Sequence, residues 1–135
     1  MPGTEIVPGL VGEVETVVGE EDTARHLGSG NVNVFATPVM IRLMERAGVA
    51  AVDHLLPEGG ATVGVHVDVK HLAATPLGLT VRARAELLEV EGRKLTFEVE
   101  AFDDQEKVGE GTHRRVIIDL EKFKERVEKK GRGGA

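Results

Sequence analysis

With 135 residues, 41% of them hydrophobic and 30% charged, the chain has the make-up of one globular domain with a real core. A formal charge of −6 argues against a general nucleic-acid binder, and the absence of cysteine removes disulfides, thiolate nucleophiles and thiolate metal ligands together. No apolar run nears the roughly 20 residues of a membrane helix, and the opening "MPGTEIVPGLVGEVE" lacks a secretory signal pattern, so a cytoplasmic location is expected.

The first element predicted is a strand over residues 9–19, "GLVGEVETVVG", in which Leu10, Gly12, Val14, Thr16 and Val18 share one register. Residues 20–36, "EEDTARHLGSGNVNVFA", are rich in Gly, Asn and acid and too weakly periodic for a long element. They read as an irregular segment with one short helical turn, a candidate lid. Thr37 and Pro38 then open a helix of about 18 residues, with Thr37 as its cap and Pro57, Gly59 and Gly60 as its stop.

That helix carries the fold argument. Met40, Leu43, Met44, Ala47, Ala51 and Leu55 gather on one side, and Ile41, Gly48 and Val52 extend the apolar surface, leaving Arg42, Arg46 and Asp53 as the polar stripe. A helix apolar over most of its circumference is enclosed by other elements. The rest of the chain supplies them: strands over 61–74, 79–92, 93–104 and 106–120, with hairpin turns at Glu91-Gly92 and Asp103-Asp104. A C-terminal helix follows from about Asp119. Its stretch "KFKERVEKKGR" reads as a solvated, salt-bridged face without a function, and "GRGGA" as a disordered tail. The economical architecture is α+β, one long antiparallel sheet wrapped around one central helix. Its free edge favours pairing with a second copy.

Two residues break the apolar patterns. In "VGVHVDVKHLAATPLG" the alternation of Val63, Val65, Val67 and Val69 carries His71 into the valine register, where a hydrogen-bonded core histidine is the ordinary occupant. Glu45 stands between Ile41, Gly48 and Val52, outside the polar stripe, and its plain reading is an ion pair with Arg42. Thr37 adds a hydroxyl at the mouth of the same helix, where free N–H groups favour an anion or a developing oxyanion. The five histidines lack the paired spacing of a zinc site, so no metal is expected. The few side-chain amides, Asn31, Asn33 and Gln105, point with the missing cysteine to a heat-adapted source.

Three runs, "VFATPVMIRLMERAG", "GVHVDVKHLAATPLG" and "EGTHRRVIID", resemble the thioesterase family typified by fluoroacetyl-CoA thioesterase, of the hotdog superfamily, over about residues 9–127. The resemblance implies a single hotdog domain over residues 1–135. It also implies a catalytic group of Thr37, Glu45 and His71, and a glycine beside the substrate carbonyl at Gly64. The family's aromatic lid is matched in residues 20–36 by Phe35 alone, which is taken as substrate-binding. The implied reaction is hydrolysis of a small or medium acyl-CoA to free acid and CoA, without a cofactor beyond the CoA of the substrate. The implied assembly is a homodimer, with room for a dimer of dimers, binding acyl-CoA at the interface and neither nucleic acid nor membrane.

In that frame His71 serves as general base or acid and Thr37 positions the nucleophile or donates a hydrogen bond. Glu45 orients the base, activates water or attacks the thioester. Lys70, Arg82, Arg84, Arg93, Arg114 and Arg115 are open candidates for the CoA phosphates. Two rivals stand beside this reading. A hotdog enoyl-CoA hydratase would need an Asp and a His five residues apart, and Asp22 and His26 are one residue too close. A non-catalytic acyl-CoA-binding module would keep the scaffold and lose turnover.

Overall fold

The apolar helix needs walls, and the chain folds its strands to provide them. The computed structural model describes residues 5–133. Five strands, β1 (Val11–Val17), β2 (Gly60–His71), β3 (Thr80–Glu91), β4 (Lys94–Phe102) and β5 (Lys107–Asp119), form one antiparallel sheet in the order β1-β3-β4-β5-β2. Val81, Ala83, Ala85 and Leu87 of β3 and Leu95, Phe97, Val99 and Ala101 of β4 are buried, while the alternate residues Arg82, Glu98 and Glu100 face outward in ion pairs or solvent.

The buried face packs on α2 (Thr37–Val52), whose Met40, Leu43, Met44, Ala47, Ala51 and Val52 are almost wholly enclosed. Each large side chain removed from water there contributes about 1.5–3 kcal/mol. Gly12 sets how closely β1 can approach, since a Cβ there would lie 2.5 Å from the Ala51 nitrogen. The α2 helix ends at Val52 and a 3₁₀ turn, Asp53–Leu55, carries the chain to Pro57.

Several expectations need correcting. The α2 N-cap is Ala36, and Thr37 is the first helical residue, with no side-chain cap bond. Its hydroxyl is therefore free for another partner. Asp53 leaves the polar stripe and turns half-buried toward β2. Arg42 pairs with Asp22 at 3.8 Å, so the Arg42–Glu45 pair is not made. The β3–β4 turn falls one residue later, on Gly92-Arg93, because Glu91 still pairs with Lys94 and only Gly92 has the left-handed φ, 62°.

The segment before α2 holds a 3₁₀ turn, Glu20–Asp22, and a single helical turn, α1 (Ala24–Leu27), capped by the Thr23 hydroxyl. Bridges of Thr23 with Phe35 and of Val34 with Pro76 pin it to the sheet end. The last element, α3 (Leu120–Gly131), is capped by Asp119 and buries none of its residues.

Candidate active site

Strand β2 sets the first half of the site. Its pairing with β5 slips between Gly64 and His66, so Val65 is an extra, unpaired residue. Simple alternation over Val63–Val69 therefore fails. Gly64, opposite Arg115, shares the inner face with Val67, Val69 and His71, while Val65 is 59% exposed. His71 keeps the inward register expected of it, at the far end of the strand.

There it meets the start of α2. Thr37 Oγ1 and His71 Nδ1 lie 2.7 Å apart. Burial pushes the His71 imidazole below its usual pKa, so near neutral pH it is uncharged and Nδ1 can accept the threonine proton. The proton then resides on Nε2, which is enclosed and has no hydrogen-bond partner among the described residues. The Phe35 ring, 1% exposed, stands edge-on to the imidazole at 6.4 Å. Beside the pair opens a cavity of about 430 Å³ between the α1 segment and residues 71–74.

Glu45 does not join this pair. Eight residues further along α2, it lies about 12 Å down the helix axis. It meets β2 instead at Gly64: a Cβ on Gly64 would sit 2.7 Å from Glu45 Oε2 and 3.3 Å from Arg115 Nη1. Only glycine leaves that space open. Within one chain, then, Thr37, His71 and Phe35 form one cluster and Glu45 and Gly64 another.

The second cluster rests on buried polar residues, among them Arg115, one of the candidates for the CoA phosphates. Arg115 is 6% exposed and His113 1%. Arg115 donates from Nε to Thr62 Oγ1 at 2.8 Å, from Nη2 to the Thr62 carbonyl at 3.0 Å and from Nη1 to His113 Nε2 at 3.1 Å. Thr62 Oγ1 in turn donates to Asp53 Oδ1 at 2.6 Å. His113 Nδ1 donates to the His66 carbonyl at 2.8 Å, which fixes its tautomer, and Phe97 stacks on its ring. Burial lowers the His113 pKa, with the Arg115 charge adding to it. The missed signal was positional: His113 and Arg115 sit two apart on β5, one register, one face. The buried Arg115 is thereby removed from the exposed phosphate candidates, and Arg82 and Arg84 are tied to Glu13, Glu86 and Glu100. Asp22 is held by Gly19 and Arg42, away from any hydratase-like pairing with His26.

A family model described as FlK, fluoroacetyl-CoA-specific thioesterase, matches residues 18–121. The chain belongs to this family. A fluoroacetyl-CoA thioesterase of Streptantibioticus cattleyicolor is 44% identical over 124 residues, covering 87% of this chain and 89% of that protein. A solved structure of the fluoroacetyl-CoA thioesterase FlK superposes with a TM-score of 0.86 at 41% identity, over 93% of this chain and 97% of the other. A thioesterase-superfamily protein from Thermus thermophilus gives a TM-score of 0.86 at 32% identity, over 95% and 97% of the two chains. The fold is the hotdog fold, with α2 enclosed by the curved sheet.

Proposed function

We propose that the protein is an acyl-CoA thioesterase whose working site is assembled from two copies of the chain. The observation that carries this reading is the Thr37–His71 pair: a hydroxyl 2.7 Å from the unprotonated nitrogen of a neutral imidazole is a nucleophile held by its base. Thr37 Oγ1 attacks the thioester carbonyl while His71 Nδ1 takes its proton. The tetrahedral intermediate collapses, the C–S bond breaks, and the thiolate of CoA leaves with the proton from His71. Water then attacks the acyl-threonine ester, with His71 again as base, releasing the acid and restoring Thr37.

Symmetry supplies what one chain lacks. The outer edge of β2 is unpaired among the described residues, and its Val65 and Val67 are exposed. Antiparallel pairing of two β2 edges about a twofold axis near Val67 places Gly64 of the second copy opposite His71 of the first. Glu45 of the second copy then approaches the partnerless Nε2–H of His71 and orients the base as the third member of a triad. The Gly64 backbone N–H of that copy and the Thr37 N–H face the thioester oxygen; Pro38 has no N–H, and those of Val39 and Met40 bond the Ala36 carbonyl. Phe35 forms the apolar wall, and the assembly is a homodimer of a cytoplasmic enzyme that needs no metal.

The test is release of free CoA, followed with a thiol reagent, from acyl-CoA substrates by the wild type and by Thr37→Ala. Turnover by the wild type and its loss in the variant, with an unchanged melting curve, is expected. Binding of acyl-CoA without turnover would place the protein among non-catalytic acyl-CoA-binding modules. Hydration of crotonyl-CoA without CoA release would make it a hydratase.

A further inference from the structure

Resting on the thioesterase reading, the geometry points to a more specific substrate: we propose that the cavity beside Thr37 and His71 is an acyl pocket for an unbranched apolar chain of about four to eight carbons. The cavity offers about 430 Å³ and is largely open to solvent, with far more room than an acetyl group fills. Its walls beyond the reacting pair are Ala24, Val34, Leu72, Ala73 and Ala74, with Ser29 as the one further polar side chain. No charged residue lines it.

That lining chooses among the parts of an acyl-CoA. The phosphates of CoA need cations, and the cavity has none. The pantetheine arm carries two amides, each of which loses free energy when its polar atoms enter an apolar site unpaired. An alkyl chain has nothing to satisfy and gains about fourfold in binding for each methylene it buries. The small side chains at 24, 73 and 74 are what hold the space open. One wall belongs to the α1 segment of the same chain, which the Thr23–Phe35 bridge closes on itself and the Val34–Pro76 bridge ties to the loop after β2. The carbonyl carbon at Thr37 Oγ1 therefore has its alkyl tail inside this cavity and its sulfur toward the second copy.

Steady-state kinetics on acetyl- through decanoyl-CoA, with the wild type and with Ser29→Phe and Ala74→Phe, tests the assignment. Both positions have exposed side chains, so either substitution leaves the fold standing, as a melting curve checks. The wild-type kcat/KM rises roughly fourfold per methylene from acetyl to hexanoyl. Either substitution cuts the hexanoyl-to-acetyl ratio of kcat/KM at least tenfold. Hydrolysis that is equally fast at every chain length overturns the acyl pocket and leaves the thioesterase reading intact. So does a loss by the same factor on every substrate in both variants, which would assign the cavity to the pantetheine arm. Absence of hydrolysis at every length overturns both.

Discussion

The two ends of α2 meet β2 in different ways. At the N-terminal end Thr37 and His71 face each other across an open cavity, Thr37 exposed and His71 half-buried, joined by one hydrogen bond. About 12 Å further along the helix, Glu45 and Gly64 sit against a closed network in which Asp53, Thr62, Arg115 and His113 are bound to one another in series. The first end has a hydroxyl and an imidazole joined by a single bond; the second has a carboxylate set against a bonded polar network. A buried guanidinium costs stability unless each of its donors is met, so the second end is a stability element as well as a wall of the site. In the proposed dimer the first end supplies the nucleophile and its base and the second supplies Glu45 on a stabilising network, so substitutions within that network and at the first end should report different quantities.

The largest effect is expected at the first end. His71→Ala removes the base and lowers kcat by about 10³-fold or more, while its urea midpoint stays close to that of the wild type. A loss below tenfold would show that the pair is a structural hydrogen bond. At the second end the order reverses. Thr62→Val keeps the shape of the side chain but deprives Arg115 Nε–H and Asp53 of their shared hydroxyl, and urea unfolding should show a loss of about 2–3 kcal/mol. Thr37→Val, at an exposed position, should cost under about 1 kcal/mol in the same experiment. Equal losses at the two sites would erase the comparison.

A smaller effect separates the ends by pH. In the proposed mechanism His71 acts as base when neutral, and burial holds its pKa below the usual 6.5, so kcat/KM should hold flat down to about pH 6.5 and fall only below it. His113 is likewise shifted downward. The unfolded chain then binds protons first as pH drops, so stability is full above about 6.5 and declines below. His113→Gln keeps an acceptor for Arg115 and should flatten that decline without moving the kinetic limb. A shift of the kinetic limb in this variant would mean that the two ends share one titration.

Much of this was legible in the residues. The 3.6-residue period of Met40, Leu43, Met44 and Ala47 and the alternation of β3 and β4 each have one physical solution, a helix buried against the inner face of a sheet. The inward turn of His71 was readable as well. Less legible was the bulge at Val65, although Gly64 beside it is the kind of residue that marks one; it moves Gly64 to the inner face. Thr37 looked like a cap because sequence shows the residue type and not the hydroxyl's partner; Ala36 caps instead, and the hydroxyl goes to His71. Arg115 stands among the candidates for the CoA phosphates because charge usually means solvent, and nothing in the spacing of His113 singles it out. The four-residue network that makes them an inward exception joins them to Thr62 and Asp53, which lie some fifty residues or more earlier in the chain. Glu45 joins Thr37 and His71 only through the family resemblance, and a match of residue types cannot say whether two groups meet within one molecule or between two.

The composite site is tested most directly by subunit mixing. His71→Ala and Glu45→Gln, each inactive alone, are denatured together in equal amounts and refolded. If each site draws His71 from one copy and Glu45 from the other, half of the dimers are mixed and each carries one intact site, restoring about a quarter of wild-type activity. Activity that stays at the level of the parent variants, in dimers shown by mass to be mixed, would contradict the account.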